Sequence, residues 1–436
     1  MDPLQLGQSV ARAARSRLTR RAALASSGAG LATALLNRSN LTLPALAAQD
    51  ATPTGAQTGG NNEPPEVPAW MRTPGAEASP YGERAPAEEA VVRQVLDPAD
   101  SFAPLADLHG IITPNALFYE VHYGGIPAID PVEHRLMVHG LVERPLLFTM
   151  DDLKRFPSVS VTHFLECSGN SFFEWQEASI GATVSETHGL TSCAEWTGVP
   201  VAAILREAGI RPGAVWMLAE GADSVGHDRS IPVEKAMRDG ILAYAANGEA
   251  LRPSQGYPLR LLLPGYEGNT NVKWLRRLKL GDLPWQTRQE TSHYTDLMPD
   301  GTARQFTFVM EAKSVITSPS GGQRLPGPGF KEITGLAWSG RGRIERVDIT
   351  TDGGQSWTPA ALQTPVLPMA WTRFRMPWIW DSQPARLQSR AIDETGYVQP
   401  TLAQLVEARG VNSFYHFNGI QTWDITADGE VTNVYA

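Results

Sequence analysis

At 436 residues the chain is long enough for two or more domains, each with its own core. A hydrophobic content of 42% with 19% charged residues fits a folded soluble protein, and a net charge of -9 excludes the basic footprint of a general nucleic-acid binder. Two cysteines, Cys167 and Cys193, are too few for a disulfide scaffold.

The first segment reads as an address. No acidic residue occurs between Asp2 and Asp50, and Arg12, Arg15, Arg17, Arg20 and Arg21 precede a mostly apolar run from Ala22 to Leu36. Ala45-Leu46-Ala47 follows, with small residues at the alternate positions a signal peptidase prefers. The Arg20-Arg21 pair after Thr19 fits a twin-arginine signal over 1–48, which predicts export of a folded protein to the periplasm. The apolar run is short for a membrane span, so no span is expected in the mature protein. The stretch 49–104 reads as a Pro/Gly-rich linker followed by an extended arm with scattered anchors such as Trp70 and Phe102.

From 105 to 303 the pattern mixes strands and short helices. Strands are predicted at His134 to His139, Ser158 to Cys167, Val215 to Ala219 and Leu259 to Leu263. Helices are predicted at Met150 to Phe156, Pro200 to Ala208 and Val233 to Asp239. From 304 to 436 short strands between Gly/Pro clusters predict an antiparallel sandwich of the immunoglobulin-like kind. Asp352-Gly353-Gly354-Gln355-Ser356-Trp357 resembles a sialidase Asp-box, but it occurs once and reads as a structural turn.

Several chemistries are excluded. There is no Gly-Lys pair of a phosphate loop, no G-x-G-x-x-G, no G-x-S-x-G and no H-E-x-x-H. Without C-x-x-C-H, no c-type haem is attached to this chain.

Three constellations remain. Val159, Val161, His163, Leu165 and Cys167 share one face of a strand that runs into Ser168-Gly169-Asn170, a tight turn. Cys167 is then an inert buried thiol, half of a disulfide with Cys193, or a lone thiolate ligand for a soft metal. Arg260 interrupts the apolar run Leu259 to Leu263, and a buried guanidinium needs an anion, either an internal carboxylate or a phosphate ligand. Lys273, Arg277 and Lys279 fall on one face with Leu275; the run is a solvated edge, or Lys273 flanks the same anion as Arg260.

These residues resemble the sulfite oxidase family of molybdopterin oxidoreductases, and within it the molybdenum subunits of sulfane dehydrogenases. The stretches carrying the resemblance are Thr187-His188-Gly189-Leu190, Glu195 to Pro200, Gly256 to Arg260, Asn271 to Leu275, Glu311 to Ile316 and Asn412 to His416. The resemblance implies an α+β architecture, with a mixed α/β molybdopterin-binding domain over 105–303 and a sandwich over 304–436 that forms a homodimer. It implies molybdenum-molybdopterin as cofactor, with Cys167 as the metal's protein thiolate. Arg260 and Lys273 would bind the anionic end of the pterin. Tyr119, Glu120, Val121, His122 and Tyr123 match the strand that wraps it, and Asp223, Gln255, Asn271 and Val272 match further contacts. Tyr294 matches the active-site tyrosine. The reaction implied is oxygen-atom transfer to sulfur, with electrons passing to a separate c-type cytochrome. The substrate implied is sulfite or a sulfane on a sulfur-carrier protein.

Two positions depart from the family. Sulfite oxidases carry an arginine at the position of Val121 and another near Phe172, and this chain has neither. Each charged hydrogen bond so lost is worth about 1.5–3 kcal/mol, which predicts weak binding of free sulfite. Gln255 stands where those enzymes have a histidine. A non-catalytic binding subunit with the same fold is the alternative expectation.

Overall fold

The structure is a computed structural model that describes residues 66–97, 99–175 and 181–436. The expected twin-arginine segment and most of the linker lie outside the described residues. The described residues before Val91 belong to a unit of their own and hold single helical turns at Ala69–Met71 and Pro86–Glu88. A second unit runs from Val91 to Ala436 and carries everything below.

Its first half is built on two sheets. One orders the strands Glu249–Ala250, Ile241–Ala246, Thr191–Pro200 and Val159–Glu166, all antiparallel, with Arg260–Leu262 paired to Ile241–Ala246. The other orders Leu146–Phe148, Leu136–Gly140, Leu275–Gly281, Trp216–Gly221 and Asp228–Pro232. It is mixed, because Leu136–Gly140 runs parallel to Leu275–Gly281. Val199, Leu242 and Leu261 of the first sheet join Val138, Met217 and Leu278 of the second in one apolar cluster.

Three helices complete that cluster. Val201–Ala208 buries Val201, Ile204, Leu205 and Ala208, the one-stripe spacing of an amphipathic helix, and Gly209 ends it at φ 73°. Val233–Asp239 buries Val233 and Ala236. Met150–Lys154 starts in a capping box between Thr149 and Asp152, which satisfies the first free N–H groups of the helix.

The second half is a sandwich of two antiparallel sheets. One orders Lys313–Ser318, Gly329–Trp338, Thr372–Trp380 and Ala361–Leu362. The other orders Thr358–Pro359, Ile344–Thr350, Ala385–Asp393, Thr422–Ile425 and Val431–Val434. In Ala385–Asp393 the residues Leu387, Ser389, Ala391 and Asp393 turn inward at every second position. The α+β expectation holds. The Asp352 carboxylate accepts from Thr350 Oγ1 (2.7 Å) and Ser356 N (2.9 Å), so the Asp-box closes a turn. One apolar cluster joins Phe164 and Trp196 of the first half to Trp338, Trp371 and Trp423 of the second.

Among the described residues no helix is long and apolar enough to cross a membrane.

Candidate cofactor site

Cys167 follows the last residue of the strand Val159–Glu166. Its N–H donates to Leu190 O (2.9 Å) and its carbonyl accepts from Asn170 N (2.9 Å), which pins the turn. Gly268 backs it: a Cβ there would lie 2.9 Å from Glu166 O and 3.3 Å from Cys167 Cα. Both cysteines are free, so the disulfide alternative falls. Cys193 is fully buried, whereas Cys167 is half-buried and lines a cleft. Burial pushes the Cys167 thiol up to about 12, against a backbone hydrogen bond from Gly169. A bound metal cation reverses that balance, because it takes the thiolate.

Arg260 lies in the cleft, 3% exposed. Its Nη1 donates to Gln255 O (3.0 Å) and its Nη2 to Asn271 O (3.1 Å), and the guanidinium lies 5.0 Å from the Trp196 ring centroid. Its Nε is buried with no partner, and it makes no ion pair among the described residues. The internal-carboxylate alternative is therefore absent. Burial pushes the guanidinium down to about 10.

Lys273 is the second cation. Its Nζ donates to Val121 O (3.0 Å), Ser254 O (3.0 Å) and His122 Nδ1 (2.7 Å), all neutral acceptors. Burial, and after it the charge of Arg260, pushes the ammonium down to about 7. Lys273 does not continue the strand face expected from 273 to 279. The strand starts at Leu275, Trp274 sits at φ 54°, and a register shift falls between Leu275 and Arg277. Arg277 pairs instead with Glu220. Gly256, at φ 106°, lets the chain pass between the two cations: a Cβ there would lie 3.1 Å from the Cβ of each.

Of the thirteen residues singled out from the sequence, all but Glu120 line this cleft. Burial opposes its ionisation, yet hydrogen bonds led by that from His122, with Arg93 beside it, hold its carboxyl down at about 2. It braces His122 from behind. The side chains of Asn271 and Gln255 are spent on the cradle itself. Asn271 Oδ1 accepts from Leu263 N (2.6 Å) and its Nδ2 donates to Glu267 O (2.9 Å); Gln255 Nε2 donates to Tyr119 O (3.0 Å). Asp223 accepts from His227 N (2.8 Å). Tyr294 and Tyr123 share a 2.5 Å hydrogen bond between their hydroxyls, and burial pushes both phenols up.

Sequence reasoning missed several residues here. His227 lines the cleft, donates from Nε2 to Asn269 O (2.8 Å), and leaves a buried Nδ1 without a partner; burial pushes it down to about 4, so it is neutral. Arg229, wholly buried, packs 4.6 Å from the Tyr294 ring and bonds Glu267 (3.1 Å) and Glu290 (3.0 Å). Beneath Cys167, Glu166 accepts from Lys313 (3.0 Å), Asn170 (2.9 Å) and Trp338 Nε1 (2.6 Å). Glu311-Ala312-Lys313 had stood out only as a stretch of resemblance, with no role attached.

Residues 123–289 match the model of the oxidoreductase molybdopterin-binding domain, and residues 304–422 match that of the Mo-co oxidoreductase dimerisation domain. The chain is similar to the crystal structure of the sulfane dehydrogenase SoxCD from Paracoccus pantotrophus, at 48% identity and TM-score 0.82, over 85% of this chain and 97% of that one. The chain belongs to the sulfite oxidase family of molybdopterin oxidoreductases. Two further relatives frame that family. Mitochondrial sulfite oxidase of Drosophila melanogaster is 33% identical over 66% of this chain and 55% of its own length. An NADH nitrate reductase of Solanum lycopersicum is 32% identical over 70% of this chain and 38% of its own. The chain thus spans about half, or less, of these two curated relatives.

The residues present fit the family's cofactor. Buried Arg260 and half-buried Lys273, neither paired with a carboxylate, line the cleft, and an anion there would find Arg260 Nε free. Among the described residues no three of His, Cys, Asp and Glu converge, so the protein side offers a metal Cys167 and leaves its other ligands to the cofactor.

Proposed function

We propose that the chain is a periplasmic molybdenum oxidoreductase that oxidises a reduced sulfur compound and passes the electrons to a c-type cytochrome. The observation that carries this reading is the likeness to a sulfane dehydrogenase over nearly all of that chain. The nitrate reductases matched share far less of their own length. The Arg20-Arg21 pair supports export, and a homodimer through the second half agrees with the matched dimerisation domain. A sulfur-carrier protein is a candidate substrate donor; sulfite is another.

In this reading Cys167 holds molybdenum, and Arg260 and Lys273 hold the anionic end of molybdopterin. Tyr119, Val121, His122 and Tyr123, with Asp223, Gln255, Asn271 and Val272, line the cleft that would take the pterin. Once bound, the group supplies oxygen-atom transfer to sulfur and accepts two electrons. The protein's own part is placement and charge. The anion brings Lys273 back to its full charge, since an opposite charge close by favours the charged form. Neutral His227 offers its free Nδ1 as an acceptor at the cleft wall. The Tyr294 hydroxyl, tied to Tyr123 and packed against the Arg229 guanidinium, stays protonated at neutral pH and would offer the bound group a fixed hydrogen-bonding partner in the cleft it shares with Cys167.

Metal analysis of the purified protein tests this first, with near-stoichiometric molybdenum and pterin fluorescence expected. A reduced-sulfur donor should then drive cytochrome c reduction, and Cys167→Ser should abolish it. A protein that carries no molybdenum, or a variant that keeps full turnover, would overturn the reading.

A further inference from the structure

The cleft has a second side, and it differs from the first. Beyond Cys167 it opens into a mouth. Phe172, Phe414 and Tyr415 wall it, with Phe172 and Phe414 stacked at 4.9 Å between centroids. Gly169 completes the fit: a Cβ there would lie 3.3 Å from the Phe414 ring and 3.9 Å from Cys167 Sγ. The aromatic wall therefore comes down next to the thiol.

Among the described residues lining the mouth there is no lysine or arginine; besides Cys167 and the tyrosines, the ionisable ones are Asp100, His122 and His293. His122 stands between the Lys273 ammonium and the Glu120 carboxylate. Cations behind the wall are already matched. Arg229, His416 and Arg341 face Glu267, Glu290 and Glu311, three positive groups against three negative. Lys313 is matched by Glu166, and Arg93 by Glu120. The cradle cations Arg260 and Lys273 are taken by the cofactor's own anion. A sulfur oxyanion entering this mouth meets no free positive charge, whereas a neutral sulfur flanked by carbon meets ring faces, which thioether sulfur favours.

We infer that the mouth of this site takes an uncharged organic sulfide of the thioether class, and that Val121, Phe172 and Phe414 select it against sulfur oxyanions. The inference rests on the proposed oxidoreductase reading and narrows its substrate. The step balances as sulfide plus water giving sulfoxide, two protons and two electrons. A sulfur lone pair forms the S–O bond, both O–H bonds of water break, and the protons leave to solvent. The electrons reduce two equivalents of a one-electron acceptor, cytochrome c or, in the assay, ferricyanide.

The experiment has two arms on the molybdenum-loaded protein. In the first, kcat/KM for methyl phenyl sulfide is compared with that for sulfite; the sulfide should lead by ~100-fold, the loss expected when two charged hydrogen bonds to an oxyanion are missing. Its sulfoxide should carry label from ¹⁸O-water. The second arm is calorimetric binding of two unreactive ligands, methyl phenyl sulfone and sulfate. The sulfone should bind and sulfate should not, and Val121→Arg and Phe172→Arg should each reverse that order. Preference for sulfite, thiosulfate or a persulfide-bearing protein, or tight sulfate binding to the unmodified chain, overturns the inference and leaves the oxidoreductase reading standing. If no sulfur compound is turned over by protein full of molybdenum, that reading fails instead, and sulfone against sulfate binding still decides what the mouth accepts.

Discussion

Lys313 is a buried lysine beneath the Cys167 turn and Lys273 a half-buried one on the cleft wall, and their surroundings differ in one respect. Lys313 donates to the Glu166 carboxylate at 3.0 Å, inside the seam that joins the two halves of the fold. Lys273 donates only to two carbonyls and an imidazole, on the wall of the cleft. Arg229 and Arg260 repeat the contrast: the first bonds two carboxylates, the second none. A cation with a carboxylate belongs to the scaffold, and its removal leaves an uncompensated buried charge. A cation without one is a standing cost that a ligand relieves. Arg373, also buried and bonded to Gly110 O and Leu108 O, shows that the missing carboxylate alone does not mark a site; the position on a cleft wall does.

The largest effect should come where seam and cradle meet. Cys167→Ser leaves both sets of cations in place, so the melting temperature of the metal-free protein should hardly move. Molybdenum content should fall at least ~100-fold, since loss of a mere supporting partner already costs 10–100-fold in metal affinity. A variant that unfolds instead would break the separation between scaffold and site.

Next in size is Lys313→Met. It strands Glu166 in the seam, and thermal unfolding should show a loss of about 3–5 kcal/mol, a drop near ~10 °C. A neutral result would mean that the bonds from Asn170 and Trp338 satisfy the carboxylate without the lysine.

Lys273→Met should act with the opposite sign in the metal-free protein, and with a pH signature. The folded ammonium titrates at about 7 against an ordinary 10.5, so between those values the unfolded chain holds more protons. Its contribution to stability therefore rises with pH, by about 2 kcal/mol from pH 7 to 9. His416 works the other way. Against the pull of burial, the hydrogen bond to Glu267 and the Glu311 carboxylate 3.8 Å away raise it to about 9 from 6.5, so its stabilisation is full below pH 6.5 and fades toward 9. In the unmodified protein the two slopes oppose each other. In Lys273→Met the melting temperature should fall between pH 7 and 9. Loading with cofactor should flatten the Lys273 part in the unmodified protein, because the anion keeps the ammonium charged.

The smallest effect is expected at Asp352, far from both regions. Asp352→Ala removes the carboxylate that closes the turn at Thr350 and Ser356, on the surface of the sandwich. The melting temperature should shift by ~1–2 °C with molybdenum content unchanged.

Much of the site was legible in the chain. The strand Val159–Glu166 could be read from its β-branched alternation, and with it the delivery of Cys167 to a turn, because both are local properties. The charge of Arg260 inside an apolar strand demanded an anion wherever the strand went, because burying a guanidinium is costly in any fold. The sandwich followed from the spacing of short strands between Gly/Pro clusters, of which Ile344–Thr350 is one. The face shared by Lys273 and Arg277 did not survive, since alternation cannot reveal the positive φ at Trp274 that resets it.

What the sequence alone determined was a thiol at a strand end, an arginine in need of a negative partner and the order of the two halves. Each follows from neighbours a few residues apart. The tertiary structure decided which cations already had partners. Lys313 finds Glu166 from 147 positions away, and Tyr294 finds Tyr123 from 171. It also brought Phe414 against Phe172 to close the mouth beside the thiol. Such pairings depend on distance in space, and a buried charge is a structural brace or a ligand site according to what the folded chain sets a few ångströms from it.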